Sequence, residues 1–153
     1  MSSSVEASKV LVILMGLQGS GKSTFYRTHL SERFVCVNLD TLKTRYQERL
    51  LVEACLGEGR SLAVDNTNPT RADRARYILP AKAAGYRVIG YFMESKIADC
   101  MKRNALREGR ARVPAKAIAA TSNKLEMPAY EEGFDELYFV KNNGETMQVE
   151  PWR

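Results

Sequence analysis

A chain of 153 residues, 44% of them hydrophobic, can bury roughly two-thirds of its unfolded surface, which argues for one domain and against two. Its three cysteines, Cys36, Cys55 and Cys100, are widely spaced and form no C-x-x-C pair, which argues against a disulfide framework and a cysteine zinc site. The net charge of +5 is uneven, with +1 in residues 1–59, +8 in residues 60–116 and −4 in residues 117–153. The basic middle third suits a polyanion partner or a solvated arginine-rich helix surface, and charge alone leaves both open. Residues 1–8 lack the basic and apolar regions of a signal peptide, and no apolar run approaches the ~20 residues of a membrane span. They are expected to form a disordered tail before a single domain at 9–153, in a cytoplasmic protein with no membrane partner.

In chain order, the unbroken apolar run Val10 to Met15 reads as a buried strand that ends at Gly16. The residues that follow complete G-x-x-x-x-G-K-S, with Gly21, Lys22 and Ser23 in the last three places. Glycines let this turn point its N–H groups inward, and the helix predicted over residues 22–30 adds its positive end. Such a loop binds polyphosphate, so Gly16, Gln18, Gly19, Ser20, Gly21, Lys22, Ser23 and Thr24 are the expected nucleotide contacts. Lys22 reaches the β- and γ-phosphates and the Ser23 hydroxyl ligates Mg²⁺, which makes ATP and Mg²⁺ the expected ligands.

Phe34 to Asn38 reads as a second strand. From Thr41 to about Leu56 the spacing of four between Leu42, Tyr46, Leu50 and Ala54 predicts one apolar helix face, stopped by Gly57 and Gly59. Ser61 to Val64, ending at Asp65, is a third strand. Asn68 and Pro69 then open a helix closed by Gly85, with Pro80 expected to kink or interrupt it. Arg87 to Met93 is a fourth strand, and Ser95 is placed to cap a helix from about Lys96 to Glu108. A loop at 109–114 leads to a helix at about 115–126, and Glu136 to Val140 is a fifth strand. Strands alternating with helices predict a parallel sheet covered on both faces.

Three groups can join the phosphate loop. Asp40 follows the second strand at its carboxyl end, where ligands of open parallel sheets bind. There it either orients an attacking hydroxyl or caps the helix beginning at Thr41. Asp65 ends the third strand and suits Mg²⁺, held directly or through water, although Asp65-Asn66-Thr67-Asn68 is also a self-bonding turn sequence. Asn66 is expected on the acceptor side. Arg103 and Arg107, four apart on one helix face, with Arg110 and Arg112 after them, suit a lid over a transferring phosphoryl group or a solvated basic helix end.

Taken together, Gly16 to Thr24, Val37-Asn38-Leu39-Asp40-Thr41-Leu42, Asp65-Asn66-Thr67-Asn68-Pro69, Arg74-Ala75-Arg76-Tyr77 and Lys102-Arg103-Asn104 with Arg107 and Val113-Pro114 resemble the polynucleotide 5′-hydroxyl kinase family. The resemblance runs from about Lys9 to about Val140. It implies Asp40 as general base on a 5′-hydroxyl, Lys22 and Ser23 on phosphate and Mg²⁺, and Arg103 and Arg107 as lid residues on the nucleotide phosphates. It also places Lys43, three residues past the base, on the acceptor phosphate. The family often has arginine before the base, where this chain has Leu39, and phage members have arginine where Lys43 stands. No D-x-D-x-T phosphatase motif occurs.

The expected fold is therefore an α/β P-loop kinase-type sandwich, a five-stranded parallel sheet between helices, with the order 2-3-1-4-5 and the arginine-rich lid taken from the resemblance. The expected reaction is transfer of the ATP γ-phosphate to the 5′-hydroxyl of RNA or DNA, with Lys22, Asp40 and Arg107 as its catalytic residues. A separate ligase or phosphatase is a candidate partner. A kinase for a nucleoside, sugar or antibiotic and an ATPase switch without an acceptor are the alternatives.

Overall fold

β1 (Val10–Met15) runs through the middle of the sheet with all six residues buried. The computed structural model describes residues 9–152 apart from the side chain of Arg110, so the expected tail at residues 1–8 lies outside the described residues. β1 pairs in parallel with β3 (Leu62–Asp65) on one side and β4 (Arg87–Met93) on the other. β2 (Val35–Val37) extends the sheet beyond β3, and β5 (Glu136–Asn142) lies beyond β4. The order 2-3-1-4-5 is therefore the observed one. Strands covered on both faces read as continuous apolar runs, which is why β1 was legible. Alternate residues serve opposite faces: Leu11, Ile13 and Met15 join one core cluster, while Val12 and Leu14 join another with Phe25 and Leu30.

A sixth strand, β6 (Met147–Pro151), corrects the expected five and pairs antiparallel with β5. The turn between them is built on Asn143, whose Oδ1 accepts from the amides of Glu145 and Thr146, and on Gly144 at φ 94°. Beyond it Trp152 packs on the rings of Phe92 and Phe139, a contact invisible in the sequence of the tail.

The first helix, α1, covers Lys22–Phe25 and continues as a π-helical turn over Tyr26–Leu30. The single helix expected from Thr41 is two, α2 (Leu39–Leu42) and α3 (Arg45–Glu58). Lys43 turns to φ 75° between them, and the Thr44 side chain caps α3 by accepting from the Gln47 amide. The predicted apolar face is the outer one. Tyr46 and Leu50 are exposed, and α3 instead buries Glu48, Val52 and Cys55. Gly59, in the left-handed region, closes α3, with Gly57 inside it.

α4 (Arg71–Ala83) begins later than expected, capped by Thr70 in a reciprocal capping box with Asp73 instead of by Asn68. It is not interrupted at Pro80, which stands in the last turn, where the missing N–H removes a single bond. α5 (Ile97–Ala105) ends short of Arg107, and Ser95 does not cap it. A 3₁₀ turn at Gly109–Ala111 precedes α6 (Ala115–Lys124). Arg74 and Glu132, 0% and 6% exposed, form a two-pronged ion pair at 2.8 and 3.1 Å that ties α4 to the chain before β5.

Candidate functional site

The parallel register brings the carboxyl ends of β1, β2 and β3 to one edge of the sheet, and the phosphate loop turns across that edge. Gly21, at φ 104°, enters α1, and its carbonyl accepts from the Phe25 amide at 2.9 Å. A Cβ at Gly19 would run into the Cys100 carbonyl, and one at Gly21 would meet Asn142 Nδ2 at 2.7 Å. These glycines are thus required for close approach to α5 and β5 as well as for turning. The loop is held from outside: the Leu17 amide donates to Ser95 Oγ at 3.1 Å, and Asn142 Nδ2 donates to the Ser20 carbonyl at 3.0 Å. The Arg103 guanidinium donates to the carbonyls of Gly19 and Asn142 at 3.1 and 3.2 Å.

Lys22 is buried, and its ammonium donates to the carbonyls of Gly16 and Leu17, each at 2.9 Å. Burial pulls its pKa down to about 8; the Asp65 carboxylate opposes this shift and the Arg107 guanidinium reinforces it. One residue on, Ser23 Oγ donates to Asp65 Oδ2 at 2.7 Å. Asp65 is held in place by Asn38, whose Nδ2 lies 2.9 Å from the Asp65 carbonyl and 3.3 Å from Oδ2. Asn68, at φ 47°, anchors the chain after β3 through a 2.8 Å bond from Nδ2 to the Leu14 carbonyl. A hydroxyl and a carboxylate side by side suit an ion that takes oxygen ligands and keeps several waters, so the Ser23 and Asp65 pair fits Mg²⁺.

Opposite the loop, α2 carries Asp40. The side chain of Asn38, not that of Asp40, caps this helix by accepting from the Thr41 amide at 3.2 Å. Asp40 is exposed in the first turn and faces a cleft of about 330 Å³ that is also lined by Lys22, Ser23, Asp65, Asn66 and Arg107. Lys43 is exposed but lies outside that lining, whereas Arg45, which sequence reasoning passed over, is part of it. Asn66 points its amide inward: Oδ1 accepts from the Leu39 amide at 2.9 Å, and Nδ2 donates to Glu48 and Tyr77.

The lid arginines separate. Arg107 lies past the end of α5 and faces the cleft, with one bond to the Ala111 carbonyl at 3.2 Å. Arg103 stands on the outer side of the loop, against Asn142, because the helix ends before the two can share a face. Arg112 turns back to the Ala105 carbonyl at 2.8 Å, and the Arg110 side chain lies outside the described residues. Among the described residues no helix is long and apolar enough to cross a membrane.

Residues 44–128 match a protein family described as an AAA domain, a span that takes in Glu48, Asp65 and the lid and begins after the phosphate loop. The chain belongs to that family. Two relatives bear out the resemblance drawn from the sequence. A protein of Acanthamoeba polyphaga mimivirus, provisionally named a bifunctional polynucleotide phosphatase/kinase, is 31% identical over 86% of this chain and 33% of its own. The Schizosaccharomyces pombe bifunctional polynucleotide phosphatase/kinase is 28% identical over 81% and 31%. This AAA domain chain thus spans about a third of the length of each.

Solved structures share the P-loop kinase fold. They include Kti12 of Chaetomium thermophilum in complex with ADP-AlF3, 14% identical over 88% of this chain and 90% of that one, TM-score 0.68. A gluconokinase of Sinorhizobium meliloti 1021 is 16% identical over 88% and 83%, TM-score 0.60. A chain of the Pnkp1/Rnl/Hen1 RNA repair complex is 21% identical over 76% and 43%, TM-score 0.62.

Proposed function

We propose that this chain is a single ATP-dependent kinase domain that phosphorylates the 5′-hydroxyl end of RNA or DNA. The observation that carries the reading is the two-sided cleft, with a phosphate loop and the Ser23–Asp65 pair on one wall and the exposed carboxylate of Asp40 on the other. The names of the mimivirus and fission-yeast relatives support the choice of acceptor. In the reaction, Asp40 takes the proton of the attacking hydroxyl. The hydroxyl oxygen bonds to the γ-phosphorus, the bond to the β-phosphate oxygen breaks, and ADP leaves. Lys22 and Arg107 offset the charge that spreads over the transferring group. Mg²⁺ held by Ser23 and Asp65 would supply further charge neutralisation between the phosphates. Lys43 can take part only by reaching in from outside the cleft wall.

A second reading, a kinase for a small hydroxylated molecule, draws on the fold shared with the gluconokinase. Transfer of labelled γ-phosphate from ATP to a single-stranded 5′-hydroxyl oligonucleotide, compared with free nucleosides and sugars, separates the two. Preference for a free sugar or nucleoside overturns the polynucleotide reading. With the oligonucleotide as acceptor, Asp40→Asn is expected to lower kcat by about 10²- to 10⁴-fold, with the KM for ATP and the fold unchanged. An Asp40→Asn protein as active as the parent removes Asp40 from the mechanism.

A further inference from the structure

The acceptor half of the cleft is backed by a carboxylate that the reaction above does not use. Glu48 is 2% exposed, and both of its oxygens are engaged. Oε1 accepts from Arg45 at 2.8 Å and from the Tyr77 hydroxyl at 3.0 Å, while Oε2 accepts from Asn66 Nδ2 at 2.9 Å. Asn66 passes the constraint on through its other amide atom, which accepts from the Leu39 amide at 2.9 Å, one residue before Asp40. α2 is only four residues long and fully buries none of them, and Leu42 alone packs on the core from it, so the position of its Asp40 end depends on such bonds as well as on that one contact. Arg45 is bonded through NH1 alone, to Glu48 and Tyr77, and among the described residues its Nε and NH2 make no hydrogen bond. Its side chain is 51% exposed and lines the same cleft as Asp40.

We propose that Glu48 is the positioning residue of the acceptor site. One oxygen aims Arg45 at the phosphate adjoining the 5′-hydroxyl, and the other locks Asn66, which holds the turn that carries Asp40. The inference rests on the 5′-hydroxyl kinase reading and specifies it further: the cation that recognises the acceptor phosphate is Arg45 rather than Lys43. A buried carboxylate that leaves part of a guanidinium free to grip an oxyanion suits this task, because the planar fork keeps its remaining donors in fixed directions.

The test compares a nucleoside 3′-monophosphate, which carries that phosphate, with the plain nucleoside as acceptors. Arg45→Gln is expected to raise KM for the 3′-monophosphate about tenfold or more, the scale of a lost charged hydrogen bond, with KM for the nucleoside and for ATP unchanged. An equal effect on both acceptors, or none on either, overturns this assignment. Glu48→Gln puts an NH₂ group where an acceptor is needed, and kcat is expected to fall about 10- to 100-fold, the scale of a slightly misplaced reactive group. The paired exchange Glu48→Gln with Asn66→Asp restores donor to acceptor at that contact and is expected to recover most of the loss. Lack of recovery, or a kcat loss that merely follows a lower melting temperature, overturns the positioning role. Arg45→Gln, on an exposed side chain, keeps the test open if Glu48→Gln fails to fold. A parent that phosphorylates no 5′-hydroxyl defeats the kinase reading together with this inference. An active parent whose variants behave as it does defeats this inference alone.

Discussion

Lys22 is expected to lose its proton near pH 8, where a lysine in water holds it to about 10.5. The cause is burial, which removes water from the ammonium and is only partly offset by Asp65. With that value Lys22 is about nine-tenths charged at pH 7, half charged at pH 8 and one-tenth charged at pH 9. Because the charged form binds polyphosphate, kcat/KM for ATP should fall about tenfold between pH 7 and pH 9. kcat at saturating ATP should hold to higher pH, since bound phosphates favour the ammonium. In Lys22→Arg, whatever activity remains should lack this alkaline limb, because the guanidinium stays charged.

Stability carries the same signature with a definite sign. Between pH 8 and 10.5 the unfolded chain holds the Lys22 proton and the folded chain does not, so this lysine's contribution to stability rises with pH. Below pH 8 its full penalty, about 3 kcal/mol, is present. Melting curves of the parent and Lys22→Met should therefore show the parent gaining on the variant as pH is raised from 7 to 9.5. A kcat/KM for ATP that stays flat through pH 9.5, in a parent that gains nothing on Lys22→Met, would refute the reasoning.

Two other outcomes test separate parts of the molecule. Asp65→Asn should raise the Mg²⁺ concentration for half-maximal activity about 10- to 100-fold, the usual cost of disturbing a metal's surroundings, while the Ser23 and Asn38 contacts survive in weakened form. An unchanged Mg²⁺ requirement would take Asp65 out of the metal site. Glu132→Gln strands Arg74, a guanidinium 0% exposed, and should cost about 3–5 kcal/mol in denaturant melts. A loss well under 1 kcal/mol would show that Arg74 is satisfied by the carbonyls of Asn68 and Glu126 alone.

The elements legible in advance are those whose information is local. The run Val10 to Met15 and the G-x-x-x-x-G-K-S spacing describe a strand, a turn and a helix start without reference to anything else, and all three stand where the sequence put them. β4 matches residue for residue for the same reason. α3 shows the opposite case. Tyr46 and Leu50 have the spacing of a buried face, yet the helix buries Glu48, whose partners Asn66 and Tyr77 lie 18 and 29 residues away. Periodicity weighs each side chain by its own hydropathy, and a glutamate becomes a core residue only when distant donors arrive to pair with it. The caps at Asn38 and Thr70 and the added strand β6 were hidden likewise, since several polar residues near each boundary were suitable and folding chose among them.

By itself the sequence determined the nucleotide half of this protein: the apolar strand, the glycine turn and the lysine and serine that follow it, because consecutive backbone amides aimed at one point make a phosphate site wherever they occur. The tertiary structure decided how the opposite wall of the cleft, where Asp40 and Asn66 were expected, is completed. It put Arg45 rather than Lys43 on the cleft wall, moved Arg103 to the back of the loop, and set Asp40 on a turn held by Asn66 and Glu48. Those placements depend on contacts between segments tens of residues apart, which come into being only when the sheet orders its strands and brings α2, α3 and α4 to one edge.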